Sequence, residues 1–333
     1  MSKHLSRVGL AVAAAWLVAG CSQVVETPPA MKPLSQEAMH LLGAKGMTTA
    51  APIFIRIFKE ESELEVWKAR DDGHYYHFKT YPICNWSGDL GPKEFEGDKQ
   101  APEGFYKVTS AQMNPNSKYY LSFNIGFPNA YDKALGRTGN SLMVHGDCRS
   151  AGCYAMTDAL IEEIYGLARE ALTGGQEYFY VHAYPFHMTE ANMKRHKDDK
   201  WIRFWKRLKE GYDYFETARQ PPEIAVCNRN YLVNVRFTNQ LAHVDADGPC
   251  PAFVRPPPQI FVDNAQPGTL AAAHVVATGP KLRNLAVEQS EWAAANPPPY
   301  GLTKTPKQSM SVWGFGVPDG LVDPPRRGSS PRD

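Results

Sequence analysis

The sequence predicts a mixed α/β, β-rich fold centred on sheets, and three features carry that expectation. Short alternating or β-branched stretches crowd residues 52–145, helical periodicity begins only near residue 158, and 14 of the 27 prolines fall after residue 250. Strands first and helices late favour a sheet with inserted helices over a series of βα units. A proline-rich end cannot extend either, because each proline fixes φ and removes a backbone donor.

Taken in order, "PIFIRIF" (52–58) sets isoleucines against Phe54, Arg56 and Phe58, the two-residue period of a strand. "LEVWKA" (64–69) and "HYYHFKTYPIC" (74–84) follow, parted by the turn signal "RDDG". Further strands are expected in "GFYKVTS" (104–110), "YYLSFNI" (119–125) and "NSLMVH" (140–145), between loops rich in Gly and Pro. Asp158 is placed to cap a helix over "ALIEEIYGLAREAL", whose Leu160, Ile161, Ile164, Leu167, Ala168 and Leu172 share a face and which Gly174-Gly175 ends. "EYFYVHAYPF" (177–186) returns to strand. A second helical stretch runs from about 189 to 217, with Trp201, Phe204, Trp205 and Leu208 at helical spacing, and the last strand pair lies within 223–237.

The flanks look different. Lys3, His4 and Arg7 precede an apolar run from Val8 to Ala19, too short to span a bilayer as a mature helix and patterned as an export signal over 1–20. Val18-Ala19-Gly20-Cys21 resembles a bacterial lipobox, which implies cleavage before Cys21 and lipidation there. Residues 21–48 then read as a tether, 49–250 as a catalytic domain and 251–333 as a largely disordered tail, in which "IFVDN" and "AAAHVVATG" could dock on the body. The expected location is the periplasm, with a lipid anchor in the membrane and the outer membrane favoured. A net charge of +1 gives no reason to expect nucleic acid as a partner.

The chemistry concentrates in "HGDCRSAGCYAM" (145–156). One histidine and two cysteines this close suit a metal site, half of a disulfide or a catalytic pair. Structural zinc takes four ligands, commonly as two close pairs, and no second pair occurs elsewhere; neither metal nor cofactor is expected. A nucleophilic cysteine needs a base or a favourable field to become thiolate. Cys153 follows Gly152 and precedes an expected helix start near Thr157, so a helix N-terminus should lower its pKa, and the amides around Gly152 and Cys153 should form an oxyanion hole. Cys148 lies mid-turn and has neither feature.

These motifs resemble those of the L,D-transpeptidases (YkuD-type catalytic domain), peptidoglycan enzymes with a catalytic Cys and a His base. The resemblance is closer to the YafK-like branch, through "YPICNWSGDLGPK", "APEGFY", "NIGFPNAYD", "MVHGDC", "GCYAMTD", "YPFHMT", "ANMKRH" and "GYDYFE", in this order over about residues 50 to 235. It implies Cys153 as nucleophile, His145 as general base, the Gly146 carbonyl as the group orienting the imidazole, and a curved, mostly antiparallel β-sandwich. Cross-linking members carry an aliphatic residue and Arg after the nucleophile, where this chain has Tyr154 and Ala155. The YafK-like branch shares that departure and is associated with a meso-diaminopimelate amidase that frees an outer-membrane lipoprotein. The implied partners are peptidoglycan stem peptides and peptidoglycan-bound lipoprotein, and the implied outcome is hydrolysis. The alternatives are a transpeptidase making cross-links or attaching protein, and a non-catalytic peptidoglycan-binding lipoprotein.

Other residues read more plainly. Lys93, Lys99, Lys118 and Lys133 suit solvated surface, although Lys93 or Lys118 could stand in for the missing guanidinium. His74, His77, His182 and His187 suit structural roles, and of Tyr119 and Tyr120 one ring should enter the core and the other line the cleft. Cys84 with Cys148, and Cys227 with Cys250, are possible disulfides.

Overall fold

The computed structural model describes residues 26–262, and there β1 (Ile53–Phe58) shows how the pattern becomes a layer. Ahead of it lies α1 (Gln36–Ala44); after it come β2 (Glu63–Ala69), β3 (Tyr75–Pro82), β4 (Asn85–Trp86), β5 (Gly104–Thr109), β6 (Met113–Ser117) and β7 (Tyr120–Asn124). Next are α2 (Ala130–Ala134), β8 (Met143–His145), β9 (Tyr154–Ala155), α3 (Asp158–Thr173) and β10 (Tyr178–Tyr184). The described chain closes with α4 (Glu190–Arg195), α5 (Ile202–Ala218), β11 (Ile224–Cys227), β12 (Asn230–Val233), β13 (Arg236–Phe237) and β14 (Phe253–Val254).

Two five-stranded sheets result, ordered β3-β2-β1-β10-β5 and β4-β9-β8-β7-β6. Each is antiparallel except for one parallel pair, β1 with β10 in the first and β8 with β9 in the second. Ile53, Ile55 and Ile57 enter a core shared with Leu121, Phe123 and Val144 of the second sheet and with Ile161, Ile164 and Leu167 of α3. The other face of β1 sends Phe58 against Trp205 and Tyr212 of α5, and Phe54 against Phe215. Both faces are therefore covered, which explains a strand with large apolar side chains on each. Each such side chain contributes about 1.5–3 kcal/mol on burial. Arg56, the exception, is buried between Glu65 at 2.7 Å and Glu216 at 2.6 Å.

Three expectations need correction. The cap of α3 is Thr157, whose Oγ1 accepts from the Leu160 amide at 3.4 Å, while Asp158 starts the helix and turns its carboxylate elsewhere. The stretch 189–217 is two helices, α4 and α5, separated near Trp201.

The supposed tether is the third. A 3-10 turn at Pro29–Met31 and α1, capped by Ser35 with 3.1 Å from Oγ to the Ala38 amide, pack on the body, burying Ala30, Ala38 and Leu42. Arg169 of α3 donates to the carbonyls of Ala30 and Lys32 at 2.6 and 3.0 Å. Leu34 lies so close to Gly166 that a Cβ there would meet its Cδ2 at 2.9 Å. A few apolar side chains at helical spacing suffice to dock a short helix; their modest number is why the segment reads as linker.

Beyond residue 250, β14 pairs with β13, and Phe261 packs its ring 5.0 Å from His74 and 5.5 Å from Tyr76. Disulfides join Cys84 to Cys148 and Cys227 to Cys250. The export segment, Cys21 and the tail from residue 263 lie outside the described residues. Among the described residues no helix is long and apolar enough to cross a membrane.

Candidate active site

β8 and β9 run side by side in parallel, Val144 opposite Tyr154 and His145 opposite Ala155, yet only residues 146–153 connect them. Parallel neighbours ordinarily need a crossover of about a dozen residues or more. The short return is achieved by left-handed backbone: φ is 69° at Asp147, 48° at Cys148 and 122° at Gly152.

Such strain persists only where the surroundings over-determine it, and here they do. The Met156 amide donates to His145 O at 2.7 Å, the Cys148 amide to Met156 O at 3.2 Å, and the Asp147 amide to Asp158 Oδ1 at 2.9 Å. Ser150 Oγ donates to Cys153 O at 2.7 Å and lies 3.2 Å from Ser87 Oγ. The Cys84–Cys148 bridge ties the same loop to the end of β3, with Cα atoms 5.3 Å apart. Gly146 has no alternative: a Cβ would stand 2.5 Å from Asp158 Oδ1 and 2.8 Å from Tyr119 O.

This loop brings the Cys153 thiol back beside β8, the strand that ends in His145. Val144 and Tyr154 point into the core, so alternation turns Met143 and His145 of β8 to the opposite face. The Cys153 thiol takes the Met143 N–H and donates to Ser141 O at 3.7 Å, which sets it beside the start of β8. His145 lies two residues further along, about 6–7 Å of strand.

The imidazole is nearly buried, at 2 % exposure, and its Nδ1 lies 2.6 Å from Gly146 O. A carbonyl only accepts, so Nδ1 carries the proton and the lone pair is left on Nε2. Burial holds His145 below its ordinary value, against the Gly146 carbonyl and Asp147. Burial likewise pushes the Cys153 thiol up, offset in part by the Met143 amide and the Lys93 ammonium. The resting pair is thus neutral imidazole and neutral thiol. It can pass a proton from sulfur to nitrogen once a substrate arrives.

The structure separates the remaining expectations. Cys153 does not stand at a helix N-terminus: β9, Met156 and Thr157 intervene before α3, and a helix field fades within its first turn. Its thiol is raised by burial, not lowered. Gly152 is buried with its amide 3.3 Å from Ser150 Oγ, so that N–H is engaged within the loop. Cys148 is in a disulfide, and Cys153 is the free cysteine among the described residues. Lys99, Lys118 and Lys133 are exposed as expected, but Lys93 is not. It is buried, 2.5 Å from Asp98 and 3.0 Å from Phe95 O, and its stem fills the space beside Gly139. His182 is buried in β10, His187 stacks on Phe58 at 3.6 Å, His77 bonds Thr80 and His74 meets Phe261; none joins the pair.

Two further neighbours flank the base, Tyr119, one of the two tyrosines expected to divide between core and cleft, and Arg149, which a sequence reading does not name. Tyr119, exposed at the β6–β7 turn, lays its ring 4.7 Å from the His145 ring at 32°, while Tyr120 is half-buried against the core. Arg149 lies over Tyr119, Cζ to ring centroid 5.8 Å, and pairs with Asp147. For Arg149 the only sequence signal was its place within the motif. Among the described residues no three His, Cys, Asp or Glu side chains gather as a metal site needs.

Residues 53–199 match the model of the L,D-transpeptidase catalytic domain, YkuD. The YafK proteins of Escherichia coli K12 and O157:H7, whose names assign them provisionally to the L,D-transpeptidases, are 46% identical over 212 residues, spanning 60% of this chain and 86% of theirs. Among solved structures, the helical cell shape determining protein Pgp2 of Campylobacter jejuni aligns at 17% identity over 56% of this chain and 79% of its own. Its TM-score of 0.33 is too loose a likeness to rest anything on. With the YkuD domain laid over the site-bearing sheets and 46% of the 212 aligned residues shared with YafK, this chain belongs to the YafK-like L,D-transpeptidase family.

Proposed function

We propose that this chain is a peptidoglycan-modifying cysteine amidase, cutting at the meso-diaminopimelate of stem peptides and releasing peptidoglycan-bound lipoprotein. One observation carries the reading: Cys153, free where the other described cysteines are bridged, sets its thiol on the Met143 amide at the start of the strand that ends in His145, whose Nδ1 is committed to Gly146 O. His145 Nε2 takes the thiol proton as sulfur attacks the carbonyl of the diaminopimelate centre. The tetrahedral intermediate collapses, the imidazolium hands its proton to the leaving amine, and a thioester remains on Cys153. Water then attacks the thioester while His145 takes its proton, which returns to sulfur as the product carboxylate leaves.

Hydrolysis is favoured because the two positions after the nucleophile offer no guanidinium. Tyr154 is buried with its hydroxyl 2.5 Å from Pro102 O, and Ala155 is buried beside it. An amine acceptor must be held and aligned to compete with water, and it lacks a charge-assisted partner there. Two disulfides fit an oxidising compartment, which agrees with export and an anchor at Cys21.

The deciding experiment incubates the protein with sacculi carrying bound lipoprotein and with a tetrapeptide donor–acceptor pair, read by mass spectrometry. Release of lipoprotein or diaminopimelate-ended fragments without 3–3 cross-links is expected. Accumulating 3–3 dimers, or lipoprotein becoming attached, would overturn the hydrolase in favour of the transpeptidase. Failure of Cys153 to be acylated by a carbapenem would favour a non-catalytic binder.

A further inference from the structure

We propose that Lys32 is a positioning residue for the base: through Glu162 and Tyr120 it holds the Tyr119–Tyr120 turn against Gly146, and so fixes the carbonyl that orients His145. The inference rests on the reading of His145 as general base and extends the support of that base to a segment outside the sheets.

The contacts form an unbroken series. Lys32 Nζ lies 2.8 Å from Glu162 Oε2 and donates to the Tyr120 hydroxyl at 3.2 Å, and that hydroxyl donates to the same Glu162 oxygen. Three groups thus close on one another, from the chain after the 3-10 turn, from the start of β7 and from α3. One residue back, the Tyr119 carbonyl accepts from the Gly146 amide at 3.0 Å, and the Tyr119 ring lies 4.7 Å from the His145 ring. Gly146 O in turn takes His145 Nδ1 at 2.6 Å. The packing leaves no slack, since a Cβ on Gly146 would stand 3.1 Å from Tyr120 Cβ. A shift of the turn is passed on to the imidazole.

The turn needs such a brace. Tyr120 has a φ of 66°, a left-handed backbone that is rare for an aromatic residue and persists only where its surroundings impose it. On its other side lies β6, a partly exposed edge strand, and Tyr119 itself is exposed. The Tyr120 side chain is where the fold can grip. Lys32 arrives already fixed, because Arg169 holds its carbonyl at 3.0 Å and that of Ala30 at 2.6 Å, while Leu34 lies against Gly166. The Lys32 and Glu162 side chains are 34 and 30 % exposed, so their pair contributes little to global stability. A loss of rate can therefore be told from a loss of fold.

The test uses the full chain in detergent and a carbapenem, whose ring the His145–Cys153 pair opens without any demand on the natural substrate. Sulfur attacks the lactam carbonyl, the ring C–N bond breaks, and the thiol proton passes through His145 to the ring nitrogen. Lys32→Met is expected to lower the maximal acylation rate about 10-fold, below the roughly 100-fold that a displacement of about 1 Å can cost. Half-saturation should stay within about twofold of wild type. Lys32→Arg, which keeps the charge, should recover most of the rate. Leu42→Ala, a core truncation in α1, should lower the melting temperature more than Lys32→Met does and leave the acylation rate at the wild-type value. In protein carrying isotopically labelled histidine, the Nδ1–H signal of His145 is identified by its loss in His145→Gln. It should shift in Lys32→Met and stay in place in Leu42→Ala.

A wild-type acylation rate for Lys32→Met, an unmoved Nδ1–H signal, no recovery in Lys32→Arg, or an equal loss of rate in Leu42→Ala would each overturn the assignment. A wild-type protein that resists the carbapenem would instead overturn the catalytic reading of the pair, and the Nδ1–H signal would still decide whether Lys32 positions the imidazole.

Discussion

The two sheets have equal strand counts and opposite characters. In the first, β1, β2 and β10 run six or seven residues, are almost wholly buried, and are packed on both faces by α3 and α5. In the second, β4 and β9 have two residues and β8 three, and left-handed residues gather around them at Tyr120, Ser141, Asp147, Cys148 and Gly152. Each sheet holds a buried histidine. In the first, burial and the Arg56 charge hold His182 well below its ordinary value, and its Nε2 meets no partner. In the second, His145 ends the strand whose Met143 amide holds the Cys153 thiol, with Nδ1 fixed on Gly146 O. Regular strands supply stability, and the broken sheet supplies geometry that regular strands cannot.

That division can be broken at its strongest point first. Cys153→Ala should abolish turnover and leave thermal stability nearly unchanged, whereas a Cys148 variant, already outside the chemistry, should keep measurable turnover. Equal loss from both, in folded protein, would mean that the loop's two cysteines act together.

His145→Gln should cost about 10²- to 10⁴-fold in rate, the ordinary contribution of a general base. The sign with pH follows from the shifts. In the wild type His145 is held below its ordinary value, so the neutral base persists at pH 7 and is lost only as pH falls through that lowered pKa. In the variant the thiol, raised by burial, is almost wholly protonated at pH 7, so the rate should climb as pH rises toward the thiol pKa. A variant fully active at pH 7 would assign the base to another group.

Cys84→Ser with Cys148→Ser removes a bridge spanning 64 residues, about 4 kcal/mol of stability by loop-closure entropy. It should also lower turnover, because the connection between His145 and Cys153 loses its brace. Urea unfolding and initial rates measure the two effects separately. The smallest effect belongs to the first sheet: Ile55→Ala should cost about 3 kcal/mol as a core truncation yet leave kcat of the folded fraction unchanged. A fall in kcat there would show that the sheets are coupled.

The same contrast decides what the sequence discloses. β1, β2, β3, β5, β7 and β10 were legible because burial on a pleated surface writes a local pattern. β4, β6 and β9 were not, since two residues hold no period and β6, "MNPNS", carries Pro115 in a partly exposed edge strand. The docking of residues 29–44 was missed because it depends on partners such as Gly166 and Arg169, which meet Leu34, Ala30 and Lys32 from over a hundred positions away. His145, Cys153 and Gly146 could be named from motif and resemblance together. The raised thiol could not, because it follows from the burial of Cys153 in the fold. Lys93 and Tyr119 were named only as one candidate among two, because the choice between them and their neighbours is made by tertiary contacts. Arg149 was not named at all.

The eight residues between β8 and β9 have an evolutionary consequence. Loops ordinarily tolerate insertions and deletions, but this one is pinned at both ends by parallel register, and a one-residue slip would turn Cys153 from the cleft face to the core face. Length is therefore closed to variation, and so are Gly146 and Gly152, where a side chain has no room or no allowed backbone. What remains open is identity at Arg149 and Ala151, the two exposed positions of the loop. Lineages can exchange those two side chains with the peptide bonds beneath them unmoved.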